Sequence, residues 1–256
     1  MTNDPQLPPS PPAATPAGRT LVTVATYNEI ENLPPLVEEI FFYAPYADLL
    51  VIDDNSPDGT GQWVDRKAAE DRRVHVLHRS GKLGLGTATV AAMEYAMEHD
   101  YDYMLNMDAD FSHHPRYLPY LIAGMEQEPP VDVMIGSRYV RGGGVEGWPL
   151  RRKLMSRCVN LYARTLLGLQ AHDCSGAFRC YRVALLKKLD LGAIRSRGYS
   201  FQEEILWHLK RAGARFGETP IVFADRTRGH SKINSREAVE ALRIIARLGV
   251  KNWTGR

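Results

Sequence analysis

The chain has 256 residues, of which 44% are hydrophobic and 24% charged, and it carries a net charge of +2. This composition suits one large soluble domain or two small ones, and the near-neutral balance argues against a nucleic-acid partner. No apolar run approaches the roughly 18 residues that a membrane-spanning helix needs. The three cysteines, Cys158, Cys174 and Cys180, are odd in number and match no zinc spacing, so they read as buried thiols in a reducing compartment.

Residues 1–19 are proline-rich and lack the basic-then-apolar order of a signal peptide, so a disordered tail is expected. "TLVTVATYNE" then begins as a β-branched buried strand. In "ENLPPLVEEIFFYA", prolines stand near the start and Leu36 and Ile40 recur at helical spacing. "ADLLVIDDNSPDGTG" is a second strand running into an acidic turn, "GQWVDRKAAEDR" a helix and "VHVLHR" a third strand. "LGTATVAAMEYAMEHD" is an alanine-rich helix, "YDYMLNMDAD" a fourth strand, "PRYLPYLIAGMEQ" a helix and "VDVMIGSRYV" a fifth strand. This alternation predicts an α/β domain with an open, mostly parallel sheet and helices on both faces.

Beyond residue 145 the pattern changes. "WPLRRKLMSRCVNLYARTLLGL" reads as an amphipathic helix with Leu150, Leu154, Cys158, Leu161 and Thr165 along one side and Arg151, Arg152, Arg157 and Arg164 beside them. "PIVFADR" is strand-like. "REAVEALRIIARLGVKNW" closes the chain as a basic amphipathic helix, with Val239, Leu242, Ile245 and Leu248 on its apolar side and Arg236, Arg243, Arg247 and Lys251 on its cationic side. Either helix would lie in a membrane interface or bury its stripe against the domain.

Ligands of open α/β sheets bind beyond the carboxyl ends of the strands. Five such ends carry polar or glycine-rich segments: "TYNE", "DDNSPDG", "GKLGLG", "DAD" and "GSRYVRGGG". In the fourth, Asp108 and Asp110 are separated by one residue and share a face of an extended segment. Such crowding raises one pKa unless a cation intervenes, and oxygen ligands suit Mg²⁺ or Mn²⁺ completed by substrate phosphates. The other reading is a polar strand end entering a turn. "GKLGLG" fits neither a P-loop nor a dinucleotide fingerprint, so Gly84 and Gly86 are expected to permit a close backbone approach.

Read together, "TYNEIENLPPLV", "VIDDNSPDGTG", "LHRSGKLGLGTA", "MDADFSHHP", "IGSRYVRGGGVEGWPLRRKLMSR", "DCSGAFRCYR", "GYSFQEEI" and "DRTRGHSK" resemble the inverting GT-A glycosyltransferases of family 2. Within that family the likeness points to the polyprenol-phosphate (dolichol-phosphate) mannosyltransferase group, over residues 20 to 232. It implies a single Rossmann-like GT-A domain over 20–232, with a C-terminal amphipathic helix over 233–256. It also implies a GDP-mannose donor, a polyprenyl or dolichyl phosphate acceptor, and a Mg²⁺ or Mn²⁺ ion. Several relatives carry transmembrane helices after this domain. Here the enzyme is expected to be cytoplasmic and peripheral on a membrane surface, or tethered by a membrane-protein partner.

The resemblance also assigns roles. Thr26, Tyr27 and Glu29, with Asp53 or Asp54, Lys82, Asp108 and Ala109, would hold the nucleotide. Tyr27 offers a stacking face and Glu29 an acceptor; the "DNSPDG" segment equally reads as a turn with a helix cap. Asp108, Asp110 and Ser112 would hold the metal, with His113 and His114 structural. A lipid monophosphate already carries about −1.5 to −2 charges and needs cations, not a strong base, to attack in line. Arg138, Arg152, Ser156, Arg226, Arg228 and Lys232 would supply that site. Glu203 and Glu204 are either acceptor-orienting groups or a helix-surface pair. The open alternatives are a UDP-glucose or UDP-GlcNAc transferase, a non-catalytic sugar-nucleotide-binding subunit and, more remotely, a nucleotidyltransferase.

Overall fold

The computed structural model describes residues 16–225 and 235–254. In chain order the elements are β1 (Thr20–Thr26), α1 (Leu33–Tyr43), β2 (Asp48–Asp53), α2 (Thr60–Glu70), β3 (Val74–His78), α3 (Leu85–Glu98) and β4 (Tyr103–Asp108). There follow α4 (Leu118–Met125), β5 (Val133–Ser137), β6 (Gly144–Val145), α5 (Leu150–Leu167), β7 (Arg179–Arg182) and α6 (Val183–Leu186). The last are α7 (Phe201–Arg211), β8 (Phe216–Pro220), β9 (Val222–Phe223) and α8 (Ser235–Thr254).

Seven strands form one sheet in the order β3-β2-β1-β4-β7-β5-β8. All pairings are parallel except those of β7, which runs antiparallel to both β4 and β5. β1 shows why both faces are covered. Leu21 packs in a core with α3, α5, α7 and α8, whereas Val22 and Val24 pack in the opposite core with α1, α2 and α4. The period of two sends neighbouring side chains to opposite faces, so a sheet sandwiched by helices needs a continuous apolar run. With β5 aligned to β4 through β7, all five predicted strand ends open on one edge.

Three expectations change. β7, from "RCYR", carries no strand in the sequence reading; its pattern of alternating charge and bulk is unlike the apolar parallel strands. The strand placed at "PIVFADR" begins earlier, at Phe216, and a separate short strand, β9, follows. Cys174 and Cys180 are buried, but Cys158 is exposed, and all three are free thiols. Residues 1–15 and the boundary at 232/233 lie outside the described residues, while Ala17 and Arg19 already bond through their backbone N–H groups to Glu126 and Asp102.

α8 docks on α5 and α7. Ile245 and Leu248 are fully buried, Gly249 abuts Leu166, and the Trp253 indole Nε1 donates to the Leu166 carbonyl at 3.0 Å. Leu242 of the predicted apolar side is 41% exposed. α5 buries Asn160, Ala163 and Leu167. Its predicted apolar side faces outward: Leu150, Leu154 and Leu161 are 81%, 62% and 63% exposed. No helix among the described residues is long and apolar enough to cross a membrane.

Candidate active site

β4 delivers Asp108 to the strand edge, and the chain then turns tightly through Phe111, whose φ is +62°. Asp110 closes that turn by accepting the Ser112 N–H at 3.0 Å. The Ser112 hydroxyl is buried without a partner. Ala109 and Asp110 are 4% and 7% exposed. Behind this turn His113 is buried, stacked on Phe178 and edge-on to Phe223. The Asp108 N–H donates to His113 Nδ1 at 3.4 Å, and burial holds the imidazole below its ordinary pKa, so a neutral His113 buttresses the acidic turn. His114 instead accepts the Arg116 N–H at 3.2 Å and opens the following turn.

Two carboxylates and an unpartnered buried hydroxyl make a hard-oxygen donor set that fits Mg²⁺ or Mn²⁺. No cluster of three or more His, Cys, Asp or Glu that could hold a metal occurs among the described residues. A resident ion would therefore draw its remaining ligands from substrate phosphates and water.

The loops after β1 and β2 are laced to each other. Asp53 is 2% exposed and accepts from Thr26 Oγ1 at 3.1 Å, from Ser56 Oγ at 2.5 Å and from the Ser56 N–H at 3.1 Å. Ser56 Oγ accepts the Asn28 N–H, and Asp58 accepts the Ile30 N–H. Burial pushes the Asp58 carboxyl up, but hydrogen bonds from Thr60 and Ile30 outweigh it and hold it below the ordinary value. Thr26 and Asp53 thus spend their polar atoms on the turn. Asp54 accepts Arg79 Nε at 2.5 Å, and Arg79 also donates to Thr87 Oγ1. Tyr27, half-buried, has Lys82 Nζ 5.2 Å from its ring centroid, and Glu29 accepts Asn32 Nδ2 at 2.8 Å. Gly84 and Gly86 do meet backbone closely, but it is the chain's own: a Cβ on either would fall under 3 Å from the carbonyl of Arg197 or Ser196.

The cationic side assembles around Trp148. The Arg138 guanidinium lies 5.6 Å from its ring centroid and that of Arg152 only 4.0 Å. Arg138 is locked by a bidentate pair with the fully buried Asp173, both contacts at 2.7 Å, and donates to Ser175 Oγ at 2.9 Å. Burial disfavours its charge, but Asp173 outweighs this and raises its pKa further. Removing one member of such a pair costs about 3–5 kcal/mol, because the other is left buried and charged. Arg152, on the first turn of α5, donates to Asp225 at 3.0 Å, and Ser156 one turn on bonds the Tyr139 hydroxyl at 2.6 Å. Phe223 packs on both His113 and Trp148, and the Ala224 N–H reaches the Ser112 carbonyl, so the acidic turn and the arginines form one edge. Arg226, Arg228 and Lys232 lie outside the described residues.

Glu203 and Glu204 separate. Glu204 accepts the N–H groups of Arg195 and Ser196 at 3.2 and 2.7 Å and fixes that loop. Glu203 is buried near Arg179, Asp173 and Arg138, has an unpartnered Oε2, and is pushed by burial up to about 7. Trp148, Asp173, Arg79 and Phe223 escaped the sequence reading. Only the tryptophan between two arginine-bearing segments, in "GVEGWPLRR", offered any hint.

Residues 21–190 match the family described as Glycosyl transferase family 2. The undecaprenyl-phosphate mannosyltransferase of Micrococcus luteus is 43% identical over 93% of this chain and 97% of its own length. The polyprenol monophosphomannose synthase of Mycolicibacterium smegmatis is 42% identical over 94% of this chain and 91% of its own. Among solved structures, glucosyl-3-phosphoglycerate synthase of Mycobacterium tuberculosis, in complex with Mn²⁺, UDP and glucosyl-3-phosphoglycerate, superposes with a TM-score of 0.63. It is 18% identical and aligns over 92% of this chain and 80% of that one, a likeness of fold. The chain belongs to glycosyl transferase family 2, where it groups with the polyprenol-phosphate mannosyltransferases.

Proposed function

We propose that this enzyme transfers mannose from GDP-mannose to a polyprenyl phosphate of the dolichyl type, with inversion, at a membrane surface. The observation that carries this reading is the joining of the Asp108–Asp110 turn to the Trp148-bridged Arg138 and Arg152 through His113 and Phe223. An acidic, metal-suited half for a diphosphate thus adjoins a cationic half for a second phosphate. The names of the 43% and 42% identical relatives, both lipid-phosphate mannosylating enzymes, support the same chemistry.

Asp108, Asp110 and Ser112 would hold Mg²⁺ or Mn²⁺, which when bound supplies Lewis-acid stabilisation to the departing diphosphate. Tyr27, Glu29, Asp54 and Lys82 line the nucleotide end. Arg152, on exchanging Asp225 for the acceptor phosphate, supplies charge to it, and Arg138, fixed by Asp173, offers its remaining guanidinium N–H groups, so that together they hold one phosphate oxygen in line with the anomeric carbon. The new bond joins that oxygen to the anomeric carbon, the old bond to the diphosphate breaks, and GDP departs. The attacking oxygen is already anionic, so no general base is required. In-line displacement turns an α-linked donor into a β-linked product. The outward stripe of Leu150, Leu154 and Leu161, flanked by arginines, suits a helix lying in an anionic membrane interface on the cytoplasmic side, beside the acceptor site.

The test is a transfer assay with purified protein, short polyprenyl phosphate in detergent and labelled GDP-mannose, UDP-glucose or UDP-GlcNAc, with and without Mn²⁺ or Mg²⁺. Metal-dependent label in the lipid from GDP-mannose alone is expected, and Asp110→Asn should abolish it. Arg152→Ala should weaken use of the lipid phosphate by about tenfold or more while donor binding is kept, the loss of one charge-assisted bond. Label from a UDP-sugar, or full turnover by Asp110→Asn, would overturn the reading.

A further inference from the structure

Three elements line an open cleft of about 350 Å³, one of them the loop whose Ser196 and Arg197 pack on Gly86 and Gly84. α7 contributes Glu204, Trp207, His208 and Arg211, spaced at three, four and seven residues and so aligned on one stripe. α8 contributes Arg247 and Lys251, one turn apart, and the loop before α7 contributes Arg195. Four permanent cations and an imidazole therefore face one carboxylate, Glu204, whose Oε2 is already held by the Arg195 and Ser196 N–H groups. None of the four cations pairs with a carboxylate among the described side chains. Trp207 is 5% exposed, and its indole Nε1 has no acceptor. All four cations are exposed, so water screens much of their mutual repulsion, and an anion with several oxygens would gain charge-assisted bonds from them together.

We infer that this cleft is a second anion site, distinct from the transfer site, that binds a phosphate-bearing ligand through Arg195, Arg211, Arg247 and Lys251. A phosphorylated small molecule and the headgroup of an anionic phospholipid present the same chemistry. The second has a route in, since exposed Val250 adjoins Arg247 and Lys251 on α8.

His208 is a local reporter. Burial lowers its pKa, Glu204 and Asp190 raise it, and Arg211 and Lys251 lower it. A bound anion must shift its titration upward. The experiment follows the His208 imidazole by NMR in the full-length chain, in EDTA and without sugar nucleotide. The probes are inorganic pyrophosphate and vesicles of phosphatidylglycerol and phosphatidylcholine in equal parts, with pure phosphatidylcholine as the blank. A saturable upward shift is expected, weakened about tenfold or more in Arg211→Gln/Lys251→Gln, which removes two charge-assisted contacts. Arg66→Gln/Arg72→Gln, which removes equal charge elsewhere, should leave it unchanged. A shift with pyrophosphate identifies a free phosphorylated ligand, and one with the anionic vesicles alone identifies a lipid headgroup. No shift with either probe, or equal weakening in both variants, overturns the site. Because donor and acceptor are absent, that failure would leave the transfer reading untouched.

Discussion

Glu203 illustrates how burial sets chemistry at a single residue. Its carboxyl lies among Arg179, Asp173 and Arg138, yet burial dominates and lifts its pKa from 4.5 to about 7. A carboxyl whose folded pKa is raised destabilises the native state progressively as pH climbs from the unfolded value to the folded one. At 1.36 kcal/mol per unit, the cost approaches about 3 kcal/mol above the folded value. Glu203→Gln should therefore raise the melting temperature at about pH 8 and change it far less at about pH 4.5, where the folded carboxyl is protonated and the unfolded one is only half ionised. Thermal unfolding at the two pH values checks this, and an equal change at both would refute it. Glu204, its neighbour, has a backbone-clamping role. The sequence presents "FQEE" as two equivalent acids; which one meets backbone N–H groups and which is sealed without a full set of partners depends on loop 195–196, eight or nine residues away.

At the scale of elements, α5 departs most from common behaviour. A surface helix ordinarily turns its apolar stripe inward. Here Asn160, Ala163 and Leu167 face the body, while Leu150, Leu154 and Leu161 face out. Replacing those three with serine should change folding stability by only about 0.5 kcal/mol per site, since they bury little. The same change should strip binding to anionic vesicles, where each inserted leucine is worth about 1.5–3 kcal/mol. Co-sedimentation and urea titration of the triple variant separate the two effects. Unaltered vesicle binding would remove the membrane role of α5. Its periodicity is plain in the sequence, but the direction of the stripe is not. Direction depends on α8, whose contact with Leu166 comes from 87 residues downstream.

Across the whole molecule, acidic and cationic halves are held on one sheet edge, so ligand and stability are linked. With saturating Mn²⁺, GDP-mannose at about 100 times its dissociation constant should add about 2.7 kcal/mol of stability by mass action. EDTA should erase most of that gain. Differential scanning calorimetry checks this, and an undiminished gain in EDTA would show that the nucleotide binds without the ion. Much of this architecture is readable from local pattern. Apolar runs of five to seven residues and helical spacings mark the alternating elements from β1 to β5, because backbone geometry imposes its period on any segment of the chain. The placement of Asp108 at a strand end follows from the same rule, whereas Asp110, expected on the same extended face, lies past the strand in the turn through Phe111. Other features needed the folded chain. β7 enters antiparallel between β4 and β5, Arg138 is locked by Asp173 from 35 residues away, and Trp148 gathers two arginines. The physical reason is that period is a property of consecutive residues. Burial, charge pairing and the outward or inward sense of a helix face are set by whatever distant segment lies opposite.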